Sequence, residues 1–98
     1  MADRPRWFHP EAIAEARAAR EWYESRSAAA GAAFMAELDV ALERIEEAPG
    51  AWPRYLAATR RYLLRRFPLF VVFRETDAGV QIVAVAHARR RPGYWIGR

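Results

Sequence analysis

The chain contains no cysteine and no lysine among its 98 residues. Without cysteine there is neither a disulfide framework nor a thiolate metal site, so the expected compartment is a reducing cytoplasm, and no metal or cofactor is expected. Without lysine, all 16 basic side chains are arginines, a bias that the alanine-rich composition traces as readily to GC-rich coding as to selection for the guanidinium. Long apolar runs are missing too. Leu69–Phe73 and Ile82–Ala86 span five residues each, against the roughly 18 of a membrane span. The opening Met1-Ala2-Asp3-Arg4-Pro5-Arg6 lacks the apolar stretch of a signal peptide. What is present, 53% hydrophobic residues in so short a chain, suits one domain over residues 1–98 that buries roughly 65% of its unfolded surface.

The formal charge of +4 conceals a segregation. Between His9 and Ala48 nine acids face four arginines, a net of −5, whereas from Ala51 onward ten arginines face only Glu75 and Asp77, a net of +8. An acidic front half and a basic back half give the molecule two electrostatic faces, and the basic one attracts a phosphate backbone or an acidic protein segment.

Local patterns suggest the elements. Pro5 to Phe8 reads as a short strand, ended by His9-Pro10, with Pro10 at the first position of a helix, where its missing N–H is harmless. Ala12, Ala16, Ala19 and Tyr23 recur at helical spacing with Ile13 beside them, while Glu11, Glu15 and Arg17 fall off that face; the helix ends near Ser25. Ser25 or Ser27 caps a second helix with Phe34, Leu38, Ala41, Leu42 and Ile45 on one face, stopped by Pro49-Gly50. Small residues from Ala28 to Ala33 let the two helices approach closely as an antiparallel hairpin. Strands are expected over Arg61–Phe67, Leu69–Glu75 and Val80–His87, the last two joined by a turn at Asp77-Ala78-Gly79. The period of two puts Val80, Ile82, Ala84 and Ala86 on one side of the last strand and Gln81, Val83, Val85 and His87 on the other. Both sides of the last two strands are apolar. The helices therefore cover one sheet face, and Tyr94-Trp95-Ile96 or a partner covers the other. The expected class is α+β, in the order β-α-α-β-β-β, a helical hairpin on a small, mainly antiparallel sheet.

His9-Pro10-Glu11-Ala12, the block Leu64-Arg65-Arg66-Phe67-Pro68 before an apolar strand, and Ala86-His87-Ala88-Arg89-Arg90-Arg91-Pro92-Gly93-Tyr94-Trp95 at the end resemble the RelE/ParE superfamily of bacterial type II toxins. The resemblance runs from about Phe8 to Trp95. It implies a toxin held in a hetero-oligomer by a cognate antitoxin whose C-terminal segment wraps and neutralises it.

The superfamily divides by mechanism. RelE-like members cleave messenger RNA on the ribosome, where the 2′-hydroxyl attacks the adjacent phosphate with help from an acid, a base and cations. For that chemistry this chain offers Arg61, Arg65, His87, Arg89 and Tyr94 as candidate catalytic residues, but it has no lysine, and it carries Phe70 where many relatives carry an arginine. ParE-like members poison DNA gyrase and need a binding surface rather than a proton relay. The resemblance therefore favours a gyrase-binding toxin, with the ribosome-dependent endonuclease as the alternative and direct nucleic-acid binding, with Tyr62, Phe67 and Tyr94 stacking on bases, behind both. Candidate contacts to target or antitoxin are Arg61, Arg65, Arg66, Arg89, Arg90, Arg91, Tyr94 and Trp95.

Each of these residues also has a plain structural reading. His87 at a strand end caps backbone groups; Arg65 or Arg66 pairs with helix acids such as Glu43 or Glu47; Arg89 to Arg91 form a solvated strand exit. Within one strand, Arg61 and Arg65 share a side and Arg66 lies opposite. Trp7, Trp22, Trp52 and Trp95 are core or edge-packing residues, and Met35 fills the core.

Overall fold

The computed structural model describes residues 5–98; the opening Met1–Arg4, and the signal-peptide reading and charges assigned there, lie outside the described residues. Strand β1 (Arg6–Phe8) leads into helices α1 (Pro10–Arg26) and α2 (Ala28–Glu47). Strands β2 (Arg60–Leu63), β3 (Leu69–Thr76) and β4 (Gly79–His87) follow. The expected element order and class hold. The sheet order is β1-β4-β3-β2, with β1 parallel to β4 and the other pairs antiparallel.

Each helix start follows from its first residues. Before Pro10, the His9 side chain accepts the Glu11 N–H at 3.1 Å. Ser27 ends α1, its own N–H bonding Tyr23 O, and caps α2 by accepting the Ala30 N–H at 3.0 Å. That leaves Ser25, the other candidate cap, to donate to Trp22 O inside α1. The helices do approach closely. A Cβ on Gly31 would sit 2.2 Å from Glu24 Cγ, closer than any side chain can tolerate, so the small residue accounts for the contact despite its helix cost of about 1 kcal/mol.

The helix-facing core joins Phe34, Leu38 and Ile45 to Val71, Phe73, Val80, Ile82 and Val85, with Tyr23 and Phe67 packed against it. Ile13, expected on the buried face of α1, is instead 45% exposed, because the stripe turns toward Ala12, Ala16 and Ala19. A second core on the outer face holds Phe70, Val72, Val83, Ala84, Ala86 and Trp95. Of the two proposed covers for that face, the C-terminal segment supplies Trp95, which is buried, while Ile96 is exposed.

The strict alternation expected along β4 fails. Val72 pairs with Ala84 but Phe73 pairs with Ile82, so Val83 is an extra residue, a β-bulge. Val83 and Ala84 consequently lie together in the outer core, and Val85 returns to the helix side. Strand β2 is also shorter than its sequence suggests, because the chain leaves the ladder at Leu63 and turns back through Leu64–Pro68. The β3–β4 hairpin turns where expected: Gly79 takes φ +141°, and a Cβ there would lie 2.2 Å from Pro5 O. Among the tryptophans, Trp95 is core and Trp22, 53% exposed, is not.

Candidate functional site

The outer sheet face is built by cross-strand register. Arg61 stands opposite Val72 and Leu63 opposite Phe70, so both point away from the helices, whereas Tyr62, opposite Val71, points toward them. The Arg61 guanidinium lies 4.3 Å from the Tyr55 ring centre and 5.1 Å from that of Phe70. After β4 the chain folds back over this face, and Trp95 packs 5.9 Å from Tyr55, ring to ring. Burying an indole of about 200 Å² contributes roughly 5 kcal/mol of gross hydrophobic stabilisation. Between them lies a hollow of about 180 Å³ bordered by Arg61, His87, Arg90, Arg91, Tyr94 and Trp95, with no carboxylate in its lining.

The return of the tail is fixed by Glu15. Strand β1 stops at Phe8, opposite Ile82, leaving the edge of β4 beyond that point without a strand neighbour. There the Val85 N–H donates to Glu15 Oε1 at 3.0 Å, and Arg98 Nη1 donates to Val83 O at 3.1 Å. Glu15 and Arg98 are themselves joined by two bonds of 2.9 Å. Together the pair gives the bare edge one acceptor and one donor, as a neighbouring strand would. Glu15 Oε2 also accepts from the Tyr94 hydroxyl at 2.7 Å and from Arg90 at 3.4 Å. Burial, and then the Glu15 carboxylate, push the Tyr94 phenol above its ordinary value of 10.0, so it remains a donor. The same carboxylate raises the Arg98 guanidinium, against an opposing effect of burial. The sequence pattern expects Glu15 off the buried face of α1, and the fold turns it inward instead. The signal that could have placed it inward was its spacing, three after Ala12 and four before Ala19.

The remaining candidates divide. His87 Nδ1 accepts the Arg89 N–H at 3.0 Å, the backbone-capping role its position suggested, which places the neutral ring's proton on Nε2. Arg90 stacks on Tyr94, 3.7 Å from the ring centre. Arg65 and Arg66 do not share a strand with Arg61, since β2 has ended before them. Both backbone N–H groups donate to Glu37 Oε2, and Arg66 Nε donates to Oε1 at 3.0 Å. The acid partner is thus Glu37, not Glu43 or Glu47, because the turn lands one helical turn or more earlier on α2. Burial pushes the Glu37 carboxyl up, but the bonds from Arg66 and the two backbone N–H groups outweigh it and hold the group below its ordinary 4.5. Arg65 and Arg66 border a separate depression with Val40 and Arg44. Arg89 lines a third feature, an open groove of about 720 Å³ between α1 and the ends of β3 and β4, floored by Ala18, Ala19, Trp22, Leu69 and Val85.

The structure therefore gathers Arg61, His87, Arg90, Arg91, Tyr94 and Trp95 at the outer hollow and leaves Arg65, Arg66 and Arg89 elsewhere. Among the described residues no group of three or more histidines and carboxylates could hold a metal ion, and no helix is long and apolar enough to cross a membrane.

The family model described as the ParE toxin of the parDE type II toxin-antitoxin system matches residues 7–92. The chain belongs to the ParE toxin family. Curated relatives include Toxin ParE2 from two strains of Mycobacterium tuberculosis, each 34% identical over 55 residues. That stretch is 56% of this chain, and it spans about half, 52%, of the relatives' length. A solved chain from the chromosomal ParDE TA system of P. aeruginosa superposes with a TM-score of 0.76 at 15% identity, covering 88% of this chain and 97% of that one. At that identity the likeness carries the ParE fold alone, and the helical hairpin on an open mixed sheet matches it.

Proposed function

We propose that this ParE-family chain is the toxin of a ParDE-type pair and that it acts by binding DNA gyrase rather than by cutting RNA. The observation that carries this reading is the state of the side chains an RNase would need. The Tyr94 hydroxyl is committed to Glu15, His87 Nδ1 caps a backbone N–H, and Arg89 lines the groove beside α1. Arg65 sits at a different depression altogether. Side chains so dispersed or already engaged suit docking to a protein better than proton transfer.

The antitoxin belongs, on this reading, in the groove beside α1. Its apolar floor, with Arg89 and Arg90 at one end, complements an amphipathic segment carrying acidic residues. The toxin would be held in a hetero-oligomer until that segment leaves.

The test incubates purified toxin with gyrase, relaxed plasmid and ATP, and reads supercoiling and trapped double-strand breaks. Antitoxin-reversible inhibition is expected, and His87→Ala leaves it unchanged. The competing endonuclease reading keeps one favourable observation, the shared hollow of Arg61 and His87. It requires that His87→Ala lower ribosome-dependent cleavage by about two to four orders of magnitude.

A further inference from the structure

The lining of the outer hollow is unusual in what its polar groups can do. No carboxylate borders it, and among the described residues no hydrogen bond or ion pair uses the side chain of Arg61 or Arg91. Arg61 is held by two rings, which fix its position and leave its N–H groups unspent. His87, whose Nδ1 is occupied by the Arg89 N–H, offers only the Nε2–H donor in its neutral form. The Tyr94 hydroxyl already donates its hydrogen bond to Glu15. Among the described residues Glu37 is engaged by Arg66 and Glu46 by Arg6, while Glu15 pairs with Arg90 and Arg98 and so leaves Arg61 and Arg91 without an acid partner.

We propose that this hollow, centred on Arg61 and Arg91, is a phosphodiester site that holds the DNA backbone. The inference rests on the gyrase reading and deepens it: the toxin touches the nucleic acid in the enzyme–DNA complex as well as the protein. Guanidinium groups match a phosphate's paired oxygens in a plane, and unscreened positive charge in a concave site concentrates an anion. An acidic peptide would bring the same charge. The hollow favours phosphate because Arg61 and Arg91 border one small space, about 180 Å³, rather than being spread along a groove.

The experiment is a fluorescence anisotropy titration of a labelled 30-base-pair duplex with the toxin alone, at a series of salt concentrations. Wild type is expected to bind at low salt. With two phosphates neutralised, log K should fall with log salt at a slope steeper by about 1.8 than for a variant lacking both contacts. Arg61→Gln and Arg91→Gln, separately, should each weaken binding several-fold and together at least tenfold, with each variant's melting curve confirming its fold. Because Arg61 also packs on two rings, the exposed Arg91 provides the variant that tests the site without touching the core. Arg17→Gln with Arg26→Gln, on the helix side, is the control and should change little. Equal losses from the two pairs would reduce the effect to net charge and overturn the proposal. So would absence of duplex binding at low salt, tighter binding of single-stranded RNA, or displacement of the duplex by polyglutamate at lower concentration than by unlabelled DNA. Gyrase inhibition without duplex binding defeats this inference alone. Duplex binding through Arg61 and Arg91 without gyrase inhibition defeats the gyrase reading and leaves the site standing.

Discussion

Replacing Glu15 by alanine removes one carboxylate and disconnects α1 from four residues, Val85, Arg90, Tyr94 and Arg98. The side chain is 12% exposed and its partner Arg98 15%, so both charges are largely withdrawn from water. The change deletes the bidentate ion pair, the Tyr94 hydroxyl bond and the acceptor for the Val85 N–H. Breaking a buried pair from one side costs about 3–5 kcal/mol, and a buried donor left bare costs about 1–3 kcal/mol. These overlap, and the tail can relax into solvent, so about 3 kcal/mol is the expected loss. For a domain of this size each kcal/mol moves the melting temperature by about 4–8 °C, giving a fall of roughly 12–24 °C by circular dichroism. The isosteric Glu15→Gln keeps one acceptor oxygen, enough for Val85 or for Tyr94 but not both, and sets an NH2 donor against the remaining donors, so it should fall by nearly as much. Trypsin should cut faster after Arg89 and Arg90 in both variants, because the Glu15 bonds hold the segment that follows. A Glu15→Ala melting temperature within about 3 °C of wild type, with unchanged tryptic cleavage, would refute the view that this carboxylate anchors the tail.

Two further outcomes follow from geometry. Glu37 is held below its ordinary 4.5 in the fold, so its stabilisation is complete above that value and disappears as pH falls through the depressed one. Denaturant midpoints for Glu37→Gln should accordingly be lower than wild type near neutrality and converge with it as pH falls below 4.5 and through the depressed value. The turn before β2 places both Ala57 and Ala58 at positive φ, 54° and 57°, with the Thr59 N–H on Leu56 O at 3.2 Å. That is the geometry for which asparagine-glycine is preferred; Ala57→Asn with Ala58→Gly should stabilise by about 1 kcal/mol in chemical denaturation.

Much of the fold was legible because it is written in short-range chemistry. Pro10 and Ser27 start the helices, the spacing from Phe34 to Ile45 defines the face of α2, and Asp77-Ala78-Gly79 turns the β3–β4 hairpin. Apolar residues on both sides of β3 and β4 implied two covering layers, and two cores are present. Composition and element order, taken with the motifs at His9-Pro10 and His87–Trp95, led to the superfamily.

Tertiary structure decided the site. The bulge at Val83 inverts the faces that alternation assigned, and nothing in Ile82-Val83-Ala84 distinguishes a bulge from a regular strand. The exit of β2 at Leu63, four residues before the expected end at Phe67, sends Arg65 and Arg66 to α2 and leaves Arg61 on the outer face without them, so side chains that periodicity would group are separated. Glu15 looked solvated by composition, yet its partners lie 70 to 83 residues away in sequence. Local patterns fix which residues can form a helix or strand; which charges meet depends on how those elements stack, and that is set only when the chain closes on itself.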